Sequence, residues 1–123
     1  MVKIKLEVCM QKYIFLTIAI LILGMTVASA HPASLVNATF DKDKGNLVVT
    51  FAHKVSAPAS HYISQIKVQL NKKDVIVQNN LSQETDAGGT FYYKLIGVKV
   101  GDKIKVTTVC NKIGNKSAEI VVK

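Results

Sequence analysis

Leu47-Val48-Val49-Thr50-Phe51-Ala52-His53 puts Leu47, Val49, Phe51 and His53 on one parity of an extended chain. Successive side chains of a strand point to opposite faces, so these four residues share a face, and three of them are large and apolar. That face belongs in a core, and His53 ends a core-facing row. Upstream, Leu35 to Phe40 reads as the partner strand, with Asp41-Lys42-Asp43-Lys44-Gly45-Asn46 as the hairpin turn between them. Downstream, residues 54–60 form an Ala/Ser/Pro loop stiffened by Pro58, and His61 opens the next alternating run.

In that run, Tyr62, Ile66, Val68 and Leu70 lie on one face with Ser64 as the exception, while His61, Ile63, Gln65, Lys67 and Gln69 lie on the other. His61 therefore starts the more polar row. Asn71 to Asp74 reads as a turn, Val75 to Gln78 as a short strand, and Asn79 to Gly89 as a polar connection without periodicity. Thr90 to Ile96 is strand-like, with Phe91, Tyr93 and Leu95 in phase, and Gly97 to Asp102 is a turn region. Ile104, Val106, Thr108 and Cys110 then share one parity, and Ala118, Ile120 and Val122 close the chain in phase. About seven short strands separated by turn signals are the pattern of an all-β sandwich. No repeat, low-complexity tract or second domain interrupts it.

Residues 1–30 are expected to lie outside this fold. Lys3, Lys5 and Lys12 form a basic front, Ile14 to Val27 is an apolar core, and Ala28-Ser29-Ala30 has the small residues of a cleavage site. Together they read as a secretory signal, with export of residues 31–123 to the periplasm or the medium. The alternative is a retained membrane anchor, for which the apolar run is short. Met10-Gln11-Lys12 would also begin a more usual signal.

Without Lys3, Lys5, Lys12 and Glu7, the totals of 16 basic and 8 acidic residues become 13 and 7, a net charge of +6 on the expected mature domain. The chain has no arginine, and its lysines are spread singly along the strands. Nucleic-acid recognition leans on arginine's planar fork and on grouped basic residues, so this surface points away from nucleic acid. Its positive field suits the attraction of small anions. Nothing in the pattern sets an oligomeric state.

An exported domain with one cysteine has no internal disulfide, so Cys110 is a free thiol, an intermolecular bridge or a ligand. The three histidines, His31, His53 and His61, and Cys110 all fall at strand ends or at the expected new amino terminus. Neutral imidazole and thiolate bind borderline first-row ions, and a strand end fixes the backbone while leaving a metal reachable. Only seven residues separate His53 from His61, so one chain reversal brings them together. Other catalytic constellations are absent: there is no Gly-rich phosphate loop, no C-x-x-C and no carboxylate pair spaced for acid–base work. A metal-free sandwich used for interaction is the plainer alternative, in which the ligands fail to converge.

The stretches His53 through Pro58, Ser60-His61-Tyr62-Ile63 and Cys110-Asn111-Lys112-Ile113-Gly114 together resemble the iron domain of the desulfoferrodoxin and superoxide reductase family. The resemblance extends over nearly all of 31–123. It implies an immunoglobulin-like antiparallel β sandwich carrying a solvent-accessible mononuclear non-haem iron, with four equatorial histidines, an axial cysteine thiolate and a sixth position where superoxide is reduced to hydrogen peroxide. By position, His31, His53 and His61 would be equatorial ligands and Cys110 the axial one, with an external electron donor returning the iron to its reduced state. The family's fourth histidine corresponds to Ile113, and its lysine before the first histidine corresponds to Ala30. The expected activity is that of a superoxide-reductase-like oxidoreductase with an altered ligand set. The alternative is a copper or iron carrier, or an electron-transfer module, on the same fold.

Overall fold

The computed structural model of the protein describes residues 2–23 and 30–123. One helix, α1 (Val2–Leu23), precedes seven strands: β1 (Leu35–Asp41), β2 (Asn46–Ala52), β3 (Ile63–Leu70), β4 (Lys73–Asn79), β5 (Gly88–Lys94), β6 (Lys103–Cys110) and β7 (Asn115–Val121). They form two antiparallel sheets, β1-β2-β5 and β4-β3-β6-β7, the three-on-four arrangement of an immunoglobulin-like sandwich. Among the described residues, no helix is long and apolar enough to cross a membrane. Most of the Ala28-Ser29-Ala30 cleavage signature lies outside the described residues.

The core lies between the two inner faces, where Leu47, Val49 and Phe51 of β2 meet Ile66 and Val68 of β3 and Ile104 and Val106 of β6. Each large aliphatic side chain sealed there contributes roughly 1.5–3 kcal/mol of transfer free energy. The parity expected for β2 and β6 is the one observed, down to His53 just beyond β2 and Cys110 at the end of β6, both buried.

In β3 the expected phase holds from Ile66 to Leu70 and fails at Ile63. Ile63, placed on the polar row by strict alternation, is buried at 1 % exposure. The register between β3 and β6 shifts between Ile63 and Gln65, a bulge that inserts Ser64 and turns Ile63 back into the core. The strand also begins at Ile63, so His61 and Tyr62 lie just ahead of it. The β3–β4 turn is shorter than the four residues expected: only Asn71 and Lys72 lie between the strands, at φ of 50° and 71°. Two positive φ values in a two-residue loop match the right-handed twist of the flanking strands.

Strand registers bring the chemistry to one end of the sandwich. Leu35 pairs with Ala52, Ala52 with Gly88, and Ile63 with Cys110. The start of β1, the end of β2 and the start of β5 are thus level in one sheet, and the start of β3 is level with the end of β6 in the other.

Candidate metal centre

Three separate segments deliver one imidazole each to that end. His31 arrives on the segment leading into β1, which is tied to the end of β2 where the Ser34 N–H donates to the Ala52 carbonyl at 2.8 Å. Ala33 is buried beneath it, and Pro32 lies against Gly114 of the β6–β7 turn. Gly114 has φ +85°, and a Cβ there would sit 3.1–3.3 Å from the Pro32 ring. Gly114→Ala is therefore expected to cost about 1–2 kcal/mol for its left-handed backbone and to weaken metal binding by pushing the His31-Pro32 segment aside. Thermal denaturation and metal titration of the variant measure the two effects.

His53 follows β2 directly and is fully buried. Its backbone N–H donates to the Ala87 carbonyl at 2.9 Å, so the sheet pairing continues one step past the strand and fixes the ring's origin. Its Nδ1 lies 2.8 Å from Gln83 Oε1, and its Nε2 lies 3.0 Å from the backbone carbonyl oxygen of His31.

His61 closes the Ala/Ser/Pro loop, its backbone N–H donating to the Ala57 carbonyl at 2.9 Å. Asn111 clamps it from across the sandwich end. The Asn111 side chain accepts from the Tyr62 N–H at 2.9 Å and donates to the Ser60 carbonyl at 3.0 Å, and its backbone N–H donates to the Tyr62 carbonyl at 3.0 Å. These bonds flank His61 on both sides and leave its ring free to point inward.

The result is a closed triangle of rings. Centroid separations are 4.9 Å for His31–His53, 5.2 Å for His31–His61 and 4.8 Å for His53–His61. One nitrogen from each ring lies within 4.8 Å of the other two, and these three residues could hold a metal ion. His61 Nε2 is buried and has no hydrogen-bond partner. A buried polar atom without a protein partner is costly, and a bound ion is one way such an atom is satisfied. Burial, and then the positive fields of His53, His31 and Lys112, hold the His61 imidazole below its usual pKa of 6.5, with the His31 backbone pulling the other way. The ring is consequently kept neutral near pH 7, which is the form that binds metal.

Cys110 is not part of the 4.8 Å group. It is a buried free thiol on β6, opposite Ile63, and its Sγ accepts from the Lys112 N–H at 3.4 Å. Ile113, which stands where the resemblance puts a fourth histidine, is 59 % exposed at the same turn. Lys112, two residues after Cys110, adds a positive field at His61.

Gln83 is the functional residue that periodicity does not reveal. It lies in the aperiodic 80–87 connection, yet it is 6 % exposed and touches two of the three histidine-bearing segments. Its Nε2 donates to the carbonyls of His53 at 2.7 Å and Thr85 at 2.8 Å, and its Oε1 accepts from the Ile63 N–H at 3.3 Å besides facing His53. A buried glutamine in a polar loop carries no sequence signal of its own. Asn111, by contrast, was legible as part of the cysteine-asparagine element. No family model matches the chain, and no curated protein matches it.

Proposed function

We propose that this protein is an exported mononuclear metal-binding protein in which His31, His53 and His61 hold one first-row ion, iron in the first instance, with positions left open to a small ligand such as superoxide. The observation that carries it is the convergence of three imidazoles around the partnerless, buried Nε2 of His61. Three neutral nitrogens suit iron, copper and zinc alike. Iron is favoured by the resemblance of the His-Tyr-Ile and Cys-Asn elements to the superoxide reductase family, and export by the basic front and apolar run of residues 1–30.

With iron bound, the chemistry supplied would be transfer of one electron from Fe(II) to superoxide, which takes two protons from water to give hydrogen peroxide, and a one-electron donor outside the chain would restore Fe(II). The chain's own part is to hold the ion at the sandwich end, to keep His61 neutral, and to present the Lys112 charge beside His61, where it draws a small anion. Cys110 pairs across from Ile63, two residues after His61, and the Lys112 N–H donates to its sulfur.

The exposed Ile113 in place of a fourth imidazole, and Cys110 outside the group of converging donors, favour a second reading, a metal carrier or electron-transfer module without superoxide chemistry. Stopped-flow mixing of superoxide with the Fe(II)-loaded full-length chain separates the two. Stoichiometric peroxide formation, faster still in Ile113→His, is expected for the reductase. Superoxide decay no faster than in buffer, with iron nonetheless bound, would establish the carrier.

A further inference from the structure

We propose that Gln83 is a positioning residue that locks His53 into the Nδ1–H tautomer and so commits His53 Nε2 to the metal ion; this rests on the metal-binding reading above. A neutral imidazole has one ring proton, and His53 has two acceptors waiting for it. Gln83 Oε1 lies 2.8 Å from Nδ1, and the His31 carbonyl oxygen lies 3.0 Å from Nε2. Whichever nitrogen takes the proton is lost as a donor to metal.

The orientation of the Gln83 amide decides the contest. Its Nε2 must donate, because both groups it meets, the carbonyl oxygens of His53 and Thr85, can only accept. Its Oε1 must then accept, as it does from the Ile63 N–H. The amide cannot flip without setting its NH2 against a backbone N–H and its oxygen against two carbonyls. Oε1 is therefore a fixed acceptor at Nδ1, buried and closer than its rival. The His31 carbonyl is the more distant of the two acceptors and lies ahead of β1, outside the sheet ladder. With Nδ1 protonated, Nε2 turns a lone pair toward the carbonyl lone pairs of His31, a pairing that a cation relieves and that a second acceptor cannot. Metal-bound histidines generally donate their other ring N–H to such an outer partner, and losing that partner costs about 10–100-fold in affinity.

Removal of Gln83 Oε1 leaves the His31 carbonyl as the only acceptor, so the proton should move to Nε2 and occupy the donor atom. The test is long-range 1H–15N correlation of the histidine rings in the metal-free full-length chain, together with Zn2+ titration, for wild type and Gln83→Met. Expected in the wild type are a protonated Nδ1 and a bare Nε2 on His53, with Zn2+ bound. In Gln83→Met the proton should sit on Nε2, and Zn2+ affinity should fall about 10–100-fold. A wild-type His53 protonated at Nε2, or a folded Gln83→Met with unchanged tautomer and affinity, would overturn the proposal. The wild-type tautomer decides it even if Gln83→Met does not fold. Absence of Zn2+ binding in a wild type with the expected tautomer would remove the metal-binding reading, and with it the commitment of Nε2.

Discussion

His53→Ala is expected to lose both the metal and a large part of the fold's stability. The imidazole is wholly buried and answers to Gln83 Oε1 on one side and the His31 carbonyl on the other. Truncation leaves a cavity between the sheets' ends and strips Gln83 Oε1 of its shortest partner, a combination worth about 2–4 kcal/mol. For a domain of this size that is a fall in melting temperature of about 10 °C or more. The same change removes one of three metal donors, so affinity should fall by more than the roughly 100-fold at the upper end for outer partners. Differential scanning calorimetry with and without Zn2+ reads both: a lower transition in the metal-free variant, and no upward shift on adding metal. A melting temperature within a degree or two of wild type would show that the His53 network does not brace the sandwich end.

His61→Ala is expected to abolish metal binding to a similar degree while leaving the metal-free fold nearly untouched. Its Nε2 makes no hydrogen bond, so truncation orphans nothing at that atom. The backbone around it is held independently by Asn111 and by the Ala57 carbonyl. Loss of the ring's packing on His31 and His53 and relief of the unpartnered Nε2 act in opposite directions, so the net change is expected to stay within about 1 kcal/mol. Removing the ring also relieves the desolvation that lowers its pKa. Stability in that part of the pH range is therefore expected to change in a defined direction. In wild type the unfolded chain binds a proton at His61 more readily than the folded one, so metal-free stability declines as pH falls through 6.5 toward the lowered folded value; His61→Ala should lose that decline. Denaturant titrations at several pH values, paired with metal titration near neutrality, measure the separation of binding from stability. Metal affinity equal to wild type would remove His61 from the ligand set.

The fold was legible in the alternation of β2 and β6, because each strand has one buried face and the pleat has period two. It was legible less well in β3, where a single inserted residue at Ser64 reverses the phase, and no pattern of residue types marks a bulge in advance. His53 and His61 were legible as candidates because they flank one loop between strands, and His31 because it stands at the expected amino terminus; the registers at Leu35, Ala52 and Ile63 are what bring those ends level. Cys110 ends its core-facing row as expected but stays outside the converging group. Gln83 was not legible: its role comes from two carbonyls and one N–H contributed by residues 2 to 30 positions away, a coincidence of loop geometry.

The most direct test of the three-imidazole site is Zn2+ titration of the full-length chain, followed at the ring nitrogens of His31, His53 and His61 by 15N NMR. One equivalent of Zn2+ is predicted to shift one nitrogen of each ring together, with a sharp end point and no further change. Shifts confined to one or two of the rings, or gradual shifts without a one-to-one end point, would contradict the shared metal site.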